Sequence, residues 1–183
     1  MMKSIPNLLT MSRIAVIPGI IAVFYWGHPL TDWMAFALFA LAGITDFFDG
    51  YLARTMGVVS KLGQFLDPVA DKLMVVATIT MLIAFDRVGG VHVIAMVIIL
   101  CREIMVSGLR EFLAGLQVSV PVTQMAKWKT TLQMVALGAL LIGDSAPAWL
   151  PANEVGYTGL WVAAILTLIT GYDYLRAGLK HMD

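Results

Sequence analysis

Six apolar segments, each roughly 20 residues long, limit what this chain can fold into: that is the length a helix needs to cross the hydrocarbon core of a bilayer. They run over about 5–26, 33–53, 67–85, 88–113, 124–143 and 155–176. The runs are too long for strands and do not alternate, so the spacing predicts helices. Turn signals separate them, at Gly27-His28-Pro29, Gly89-Gly90, Pro121 and Pro147 to Pro151. Composition agrees: 60% of the 183 residues are hydrophobic and only 13% are charged, about half the charged share of an ordinary soluble domain. The predicted class is an all-α, polytopic membrane protein, a six-transmembrane-helix bundle forming one domain over residues 1–183. No repeat, low-complexity stretch, soluble domain or removable leader is expected. A formal net charge of zero argues against a nucleic-acid partner. The one cysteine, Cys101, lies in an apolar run and reads as a buried structural thiol.

The charges set the orientation. Six spans put both termini on one side, and of the 12 Lys and Arg only Arg87 falls in the three loops of the other side. Those loops carry Asp32, Asp86, Asp144 and Glu154 instead. The positive-inside rule therefore predicts cytoplasmic termini. Trp26, Trp33, Trp149 and Tyr157 are placed to form an aromatic belt at the opposite face.

Four aspartates sit where lipid should be. Asp46 and Asp49 lie in the second half of span 2, and Asp67 and Asp71 open span 3. A carboxylate at membrane depth costs several kcal/mol unless it is paired, hydrated or metal-bound. Bland roles exist for some. Asp67 before Pro68 reads as a helix N-cap, and Asp71 has Lys72 and Arg54 as possible partners. Asp46, roughly 18 Å along its span, resists such a reading. Asp46 and Asp49 share a face of span 2, with Ala53, and Asp67 and Asp71 share a face of span 3. Antiparallel spans joined by a short loop would bring the two faces together, with the site at the cytoplasmic side. Four converging carboxylates without Cys or His suit hard divalent cations, Mg2+ or Mn2+, rather than zinc. Two such ions are a common solution for transferring a phosphoryl-type group. Gly50 and Ala53 remove bulk beside the carboxylates, Arg54 offers a fork for phosphate, and Gly63 permits close helix approach.

The stretch Asp46-x2-Asp49-Gly50-x2-Ala53-Arg54-x8-Gly63-x3-Asp67-x3-Asp71 resembles the signature of the CDP-alcohol phosphatidyltransferases, with every position filled. The resemblance implies that Asp46, Asp49, Asp67 and Asp71 bind two metal ions and that Asp71 is also the general base. It places Gly50, Arg54 and Ser60 around the CDP group, with Ala53 and Gly63 in the same donor site. Asn7-x2-Thr10-x2-Arg13 looks like the family's nucleotide-contacting segment. A homodimer in a bacterial inner membrane is implied likewise.

The acceptor alcohol should be read outside the shared signature. Span 4 holds Arg102-Glu103 and Arg110-Glu111, and span 5 opens Lys127-Trp128-Lys129. These have structural readings: Glu103 and Arg110 share a face and can pair, Arg102 sits deep enough to need a partner, and the lysines can anchor a helix at an anionic leaflet. The functional reading groups Arg110, Lys127 and Lys129 as a basic pocket for a phosphorylated acceptor. Residues 102–111 and 127–133 resemble the bacterial phosphatidylglycerophosphate synthases within the family. That resemblance implies CDP-diacylglycerol and sn-glycerol 3-phosphate as substrates. The alternatives are an inositol phosphate, serine or phosphatidylglycerol acceptor and, from another class, a divalent-cation transporter.

Overall fold

The computed structural model describes residues 5–26, 30–56, 61–118 and 124–179, with the side chains of residues 5–10, 47–56 and 61–65 outside the description. Six long helices cover the six apolar segments, and no strand occurs among the described residues. They are α1 (Ile5–Val23), α2 (Leu30–Met56), α3 (Lys61–Ala84), α4 (His92–Gly115), α5 (Gln124–Ile142) and α6 (Ala152–Leu179), with a 3-10 turn at Gly143–Ser145. Several exceed their apolar segments. The 27 residues of α2 span roughly 40 Å, and α3 begins six residues before Asp67.

That early start corrects the expected cap. Asp67 and Pro68 lie inside α3, not at its N-terminus. Proline removes one donor from the ladder, a loss that buried helices tolerate when neighbouring groups satisfy the backbone. The carbonyl left without its donor is that of residue 64; separately, the Lys72 Nζ donates to the Pro68 carbonyl at 3.0 Å.

The bundle has two halves. α1 packs against both α2 and α3, while α6 packs against both α4 and α5. The halves meet mainly through α2 and α5. α5 and α6 approach closely because small residues line their contact. A Cβ on Gly159 would stand 3.0 Å from that of Ala136, and one on Gly156 would stand 2.6 Å from the Leu140 Cγ. Ile79, Leu82, Met96, Ile99, Leu137 and Leu160 are fully buried between the helices.

The outer surface is apolar too: Leu41, Ile44, Ile94, Ile104, Val135 and Ile165 are exposed. Cys101 is exposed on α4, against the expected burial. An apolar helix bathed in lipid carries no polar face to distinguish inside from outside. Among the described residues, α4 and α6 are each long and apolar enough to cross a bilayer.

At the end bearing the α3–α4 turn, Asp86 takes a left-handed φ of 54°. The Arg87 amide donates back to Leu82 at 2.9 Å, closing the end of α3. Arg87 there forms an ion pair with Asp32, whose side chain is 2% exposed. Arg87 also reaches the Leu141 carbonyl at 3.3 Å and lies over the Phe24 ring. The Ser145 hydroxyl donates to the same aspartate. Trp26, Trp33 and Trp149 are exposed. Tyr157 lies at the same end: its ring stacks on His92, with centroids 4.1 Å apart, and its hydroxyl donates to the Arg87 carbonyl at 3.2 Å.

Candidate active site

Arg13 joins the aspartates. α1 lies against both α2 and α3, and its Arg13 is 2% exposed. One guanidinium nitrogen donates to Asp46 and to Asp71, the latter at 2.6 Å. The other donates to Asp67 at 3.2 Å. Three of the four expected carboxylates therefore converge, but not by the expected route. α2 and α3 pack on each other only sparsely among the described residues, and α1 stands between them. Arg13, which the resemblance places in the nucleotide-contacting segment, gathers these carboxylates in the structure. The sequence signal was available: a buried cation early in an apolar helix needs an anion as partner.

The carboxylates stay accessible. Their side chains are 43–47% exposed while Arg13 is sealed off. Asp46 and Asp71 line a cavity of about 1020 Å3 between α2, α3, α4 and α5. One guanidinium balances only one of three carboxylate charges, and every donor presented is oxygen. Oxygen donors of this kind are what a hard divalent cation takes, but among the described residues no group of three such side chains is placed to hold one. Asp49 lies one turn after Asp46 in α2, with Gly50, Ala53 and Arg54 following. Gly63 lies one turn before Asp67 in α3, and Asn7 and Thr10 precede Arg13 in α1. The side chains of these residues, and Ser60 entirely, lie outside the described residues.

The same cavity is lined by Glu103, Arg110 and Lys129. Lys129 is 3% exposed and forms an ion pair with Glu103. The Arg102 Nη1 stands 3.4 Å from the same carboxylate oxygen, and its Nη2 donates to the Thr170 hydroxyl at 2.9 Å. Arg110 does not pair with Glu103 as expected. Its guanidinium lies over the Tyr174 ring, 6.0 Å from the centroid, and Arg102 lies over that ring at 5.9 Å. Lys127 is exposed and does not line the cavity. Two residues from Lys129, it stands about 200° around α5. The expected trio is thus brought together only as Arg110 and Lys129. Pairing with Glu103 was the structural alternative for these cations, and Lys129 takes it; Tyr174 was not singled out from sequence.

Comparison with known proteins fits this arrangement. The profile of the family described as CDP-alcohol phosphatidyltransferase matches residues 3–169. The chain belongs to the CDP-alcohol phosphatidyltransferase family. Among relatives in it, a Rickettsia bellii protein is 49% identical over 179 residues, covering 98% of this chain and 97% of its own. One from Cereibacter sphaeroides is 39% identical, with 98% and 97% covered. One from Bacillus subtilis is 37% identical, with 94% of each covered. All three carry the name CDP-diacylglycerol–glycerol-3-phosphate 3-phosphatidyltransferase. This CDP-alcohol phosphatidyltransferase resembles them along nearly its whole length.

Proposed function

We propose that this enzyme transfers the phosphatidyl group from CDP-diacylglycerol to sn-glycerol 3-phosphate, giving phosphatidylglycerophosphate and CMP. The supporting observation is that one cavity is lined both by Asp46 and Asp71 and by Arg110 and Lys129. A nucleophile-activating carboxylate and cations for a phosphate thus face the same space. The names of the relatives favour the same acceptor.

In this reading Asp71 takes the proton from the acceptor's primary hydroxyl. The freed oxygen attacks the phosphorus on the diacylglycerol side of the diphosphate. The new P–O bond forms as the bond to the CMP phosphate breaks, and CMP leaves. Asp46, Asp49, Asp67 and Asp71 would hold two divalent ions, Mg2+ or Mn2+, which supply charge neutralisation to the diphosphate when bound. Arg13 keeps Asp46, Asp67 and Asp71 convergent. Arg54, Gly50, Ala53, Ser60, Gly63, Asn7, Thr10 and Arg13 form the donor side. Arg110 and Lys129 receive the acceptor phosphate.

The reading includes six membrane spans in one domain, cytoplasmic termini and a cytoplasm-facing site in a bacterial inner membrane. The outward apolar faces and the exposed tryptophans support it. A homodimer follows from the family resemblance alone.

The test is CMP release by the purified protein, which should require both a divalent ion and glycerol 3-phosphate. Full activity under exhaustive chelation would end the metal assignment. Equal CMP release with serine, an inositol phosphate or phosphatidylglycerol would end the acceptor assignment, and cation flux without CMP release would favour a transporter. Arg110→Gln and Lys129→Gln should each raise the acceptor KM by roughly ten- to a hundredfold, as expected for losing a charge-assisted contact of about 1.5–3 kcal/mol. The KM for CDP-diacylglycerol should move little. Lys127→Gln should leave both values near the parent's.

A further inference from the structure

The cations facing the acceptor are not simply open. Lys129 is buried and already engaged by Glu103, and that carboxylate is partly exposed and lines the cavity. Arg102 stands beside it, 3.4 Å from the oxygen that Lys129 holds, anchored by the Thr170 hydroxyl and the Tyr174 ring. The cluster of Arg102, Arg110 and Lys129 against Glu103 carries three positive charges and one negative. The surplus of two matches a phosphate monoester dianion. Arg110, set over Tyr174, has no carboxylate partner among the described residues.

From this geometry we infer that Glu103 gates the phosphate subsite and sets its selectivity. It occupies Lys129 until a phosphate dianion displaces it, and it then remains with Arg102 alone. No bond is made or broken. One ion pair is exchanged for two, because phosphate takes Lys129 and Arg110 while Glu103 keeps a cation in Arg102. Burial supports this assignment. Lys129 without any anion would be an uncompensated buried charge, so the empty site needs an internal counterion that an incoming anion can replace. Glu103 also raises the threshold for binding, since a weakly held anion cannot displace a carboxylate. Arg102 acts through Glu103 and is a positioning residue.

This rests on the proposal that Lys129 receives the acceptor phosphate, and the test separates the two. Binding of inorganic phosphate and of sn-glycerol 3-phosphate is measured by thermal shift on the full-length protein. The protein is kept in neutral detergent free of anionic lipid, at constant Mg2+. Removing the internal competitor should lower the dissociation constants of both anions in Glu103→Gln by roughly tenfold, about one charge-assisted contact. Glycerol, which carries no phosphate, should bind unchanged. Arg102→Gln should weaken phosphate binding severalfold in the parent but not in the Glu103→Gln background, a coupling that independent sites would lack. Unchanged or weaker phosphate binding in Glu103→Gln, with Lys129→Gln still weakening it, overturns the gate alone. Unchanged binding in Lys129→Gln overturns the acceptor-phosphate reading itself. If Glu103→Gln lowers thermal stability, phosphate should restore more of it than in the parent, and an equal rise in both would also overturn the gate.

Discussion

Asp71→Asn should abolish nearly all turnover, with kcat falling by about a thousandfold, while CDP-diacylglycerol binding weakens far less. The substitution is close to isosteric. The introduced amide oxygen can still accept the Arg13 hydrogen bond that Asp71 accepts at 2.6 Å, so the convergence of α1 and α3 should survive. What disappears is the basicity needed when the acceptor hydroxyl gives up its proton, a contribution typically worth about 10²–10⁴-fold. Asp46→Asn should behave differently, weakening metal binding as well, because nothing assigns that carboxylate to the proton. Single-turnover CMP release, read beside equilibrium binding of CDP-diacylglycerol, distinguishes the two variants. Turnover of Asp71→Asn within tenfold of the parent would show that the base lies elsewhere.

Arg87→Ala should be the most destabilising single change at the far end of the bundle. It would leave Asp32, 2% exposed, without its cation inside a buried network. Removing one partner of a buried pair costs about 3–5 kcal/mol, which for a chain of this length is a fall in Tm on the order of 10 °C. The loss includes the bond to the Leu141 carbonyl and the contact with the Phe24 ring. Replacing both members, as Asp32→Leu with Arg87→Met, should recover much of the loss, since no lone charge then remains. Asp46 lies fourteen residues after Asp32 on α2, roughly 21 Å away by helical rise. Both KM values of the folded fraction should therefore match the parent's. Thermal unfolding in detergent gives the first result and kinetics the second. A loss below about 1 kcal/mol in Arg87→Ala would mean that water reaches Asp32.

The helices were legible because apolar length is a strong signal, and the aspartates because charge in an apolar span is anomalous. Their spacing on α2 and α3 was enough to predict convergence of Asp46, Asp67 and Asp71. The wedge of α1 was not legible, since apolar periodicity does not say which neighbour a lipid-embedded helix prefers. The same blindness misplaced Cys101. The Asp67-Pro68 pair read as a helix start because local chemistry favours it, yet the helix begins at Lys61 and runs through. Glu103 had two cations within reach along the chain, Arg102 beside it and Arg110 two turns on. Its ion pair with Lys129 depends on how α4 and α5 are each set against α6, which no local pattern encodes.

The two-part packing has a consequence for how such a chain can change. Asp46, Asp67 and Asp71, which the proposed reading gives to the donor, and the arginine that gathers them come from α1–α3. Arg110, Lys129 and Glu103 come from α4 and α5. The two contributions meet across a cavity, so either can drift without dismantling the other. A lineage can therefore exchange one alcohol for another by altering the later half while inheriting the nucleotide-lipid chemistry intact. A chimera carrying α1–α3 of this chain and α4–α6 of a relative with another acceptor should release CMP with the relative's choice of alcohol. Retention of the original choice would place acceptor selection in the first half.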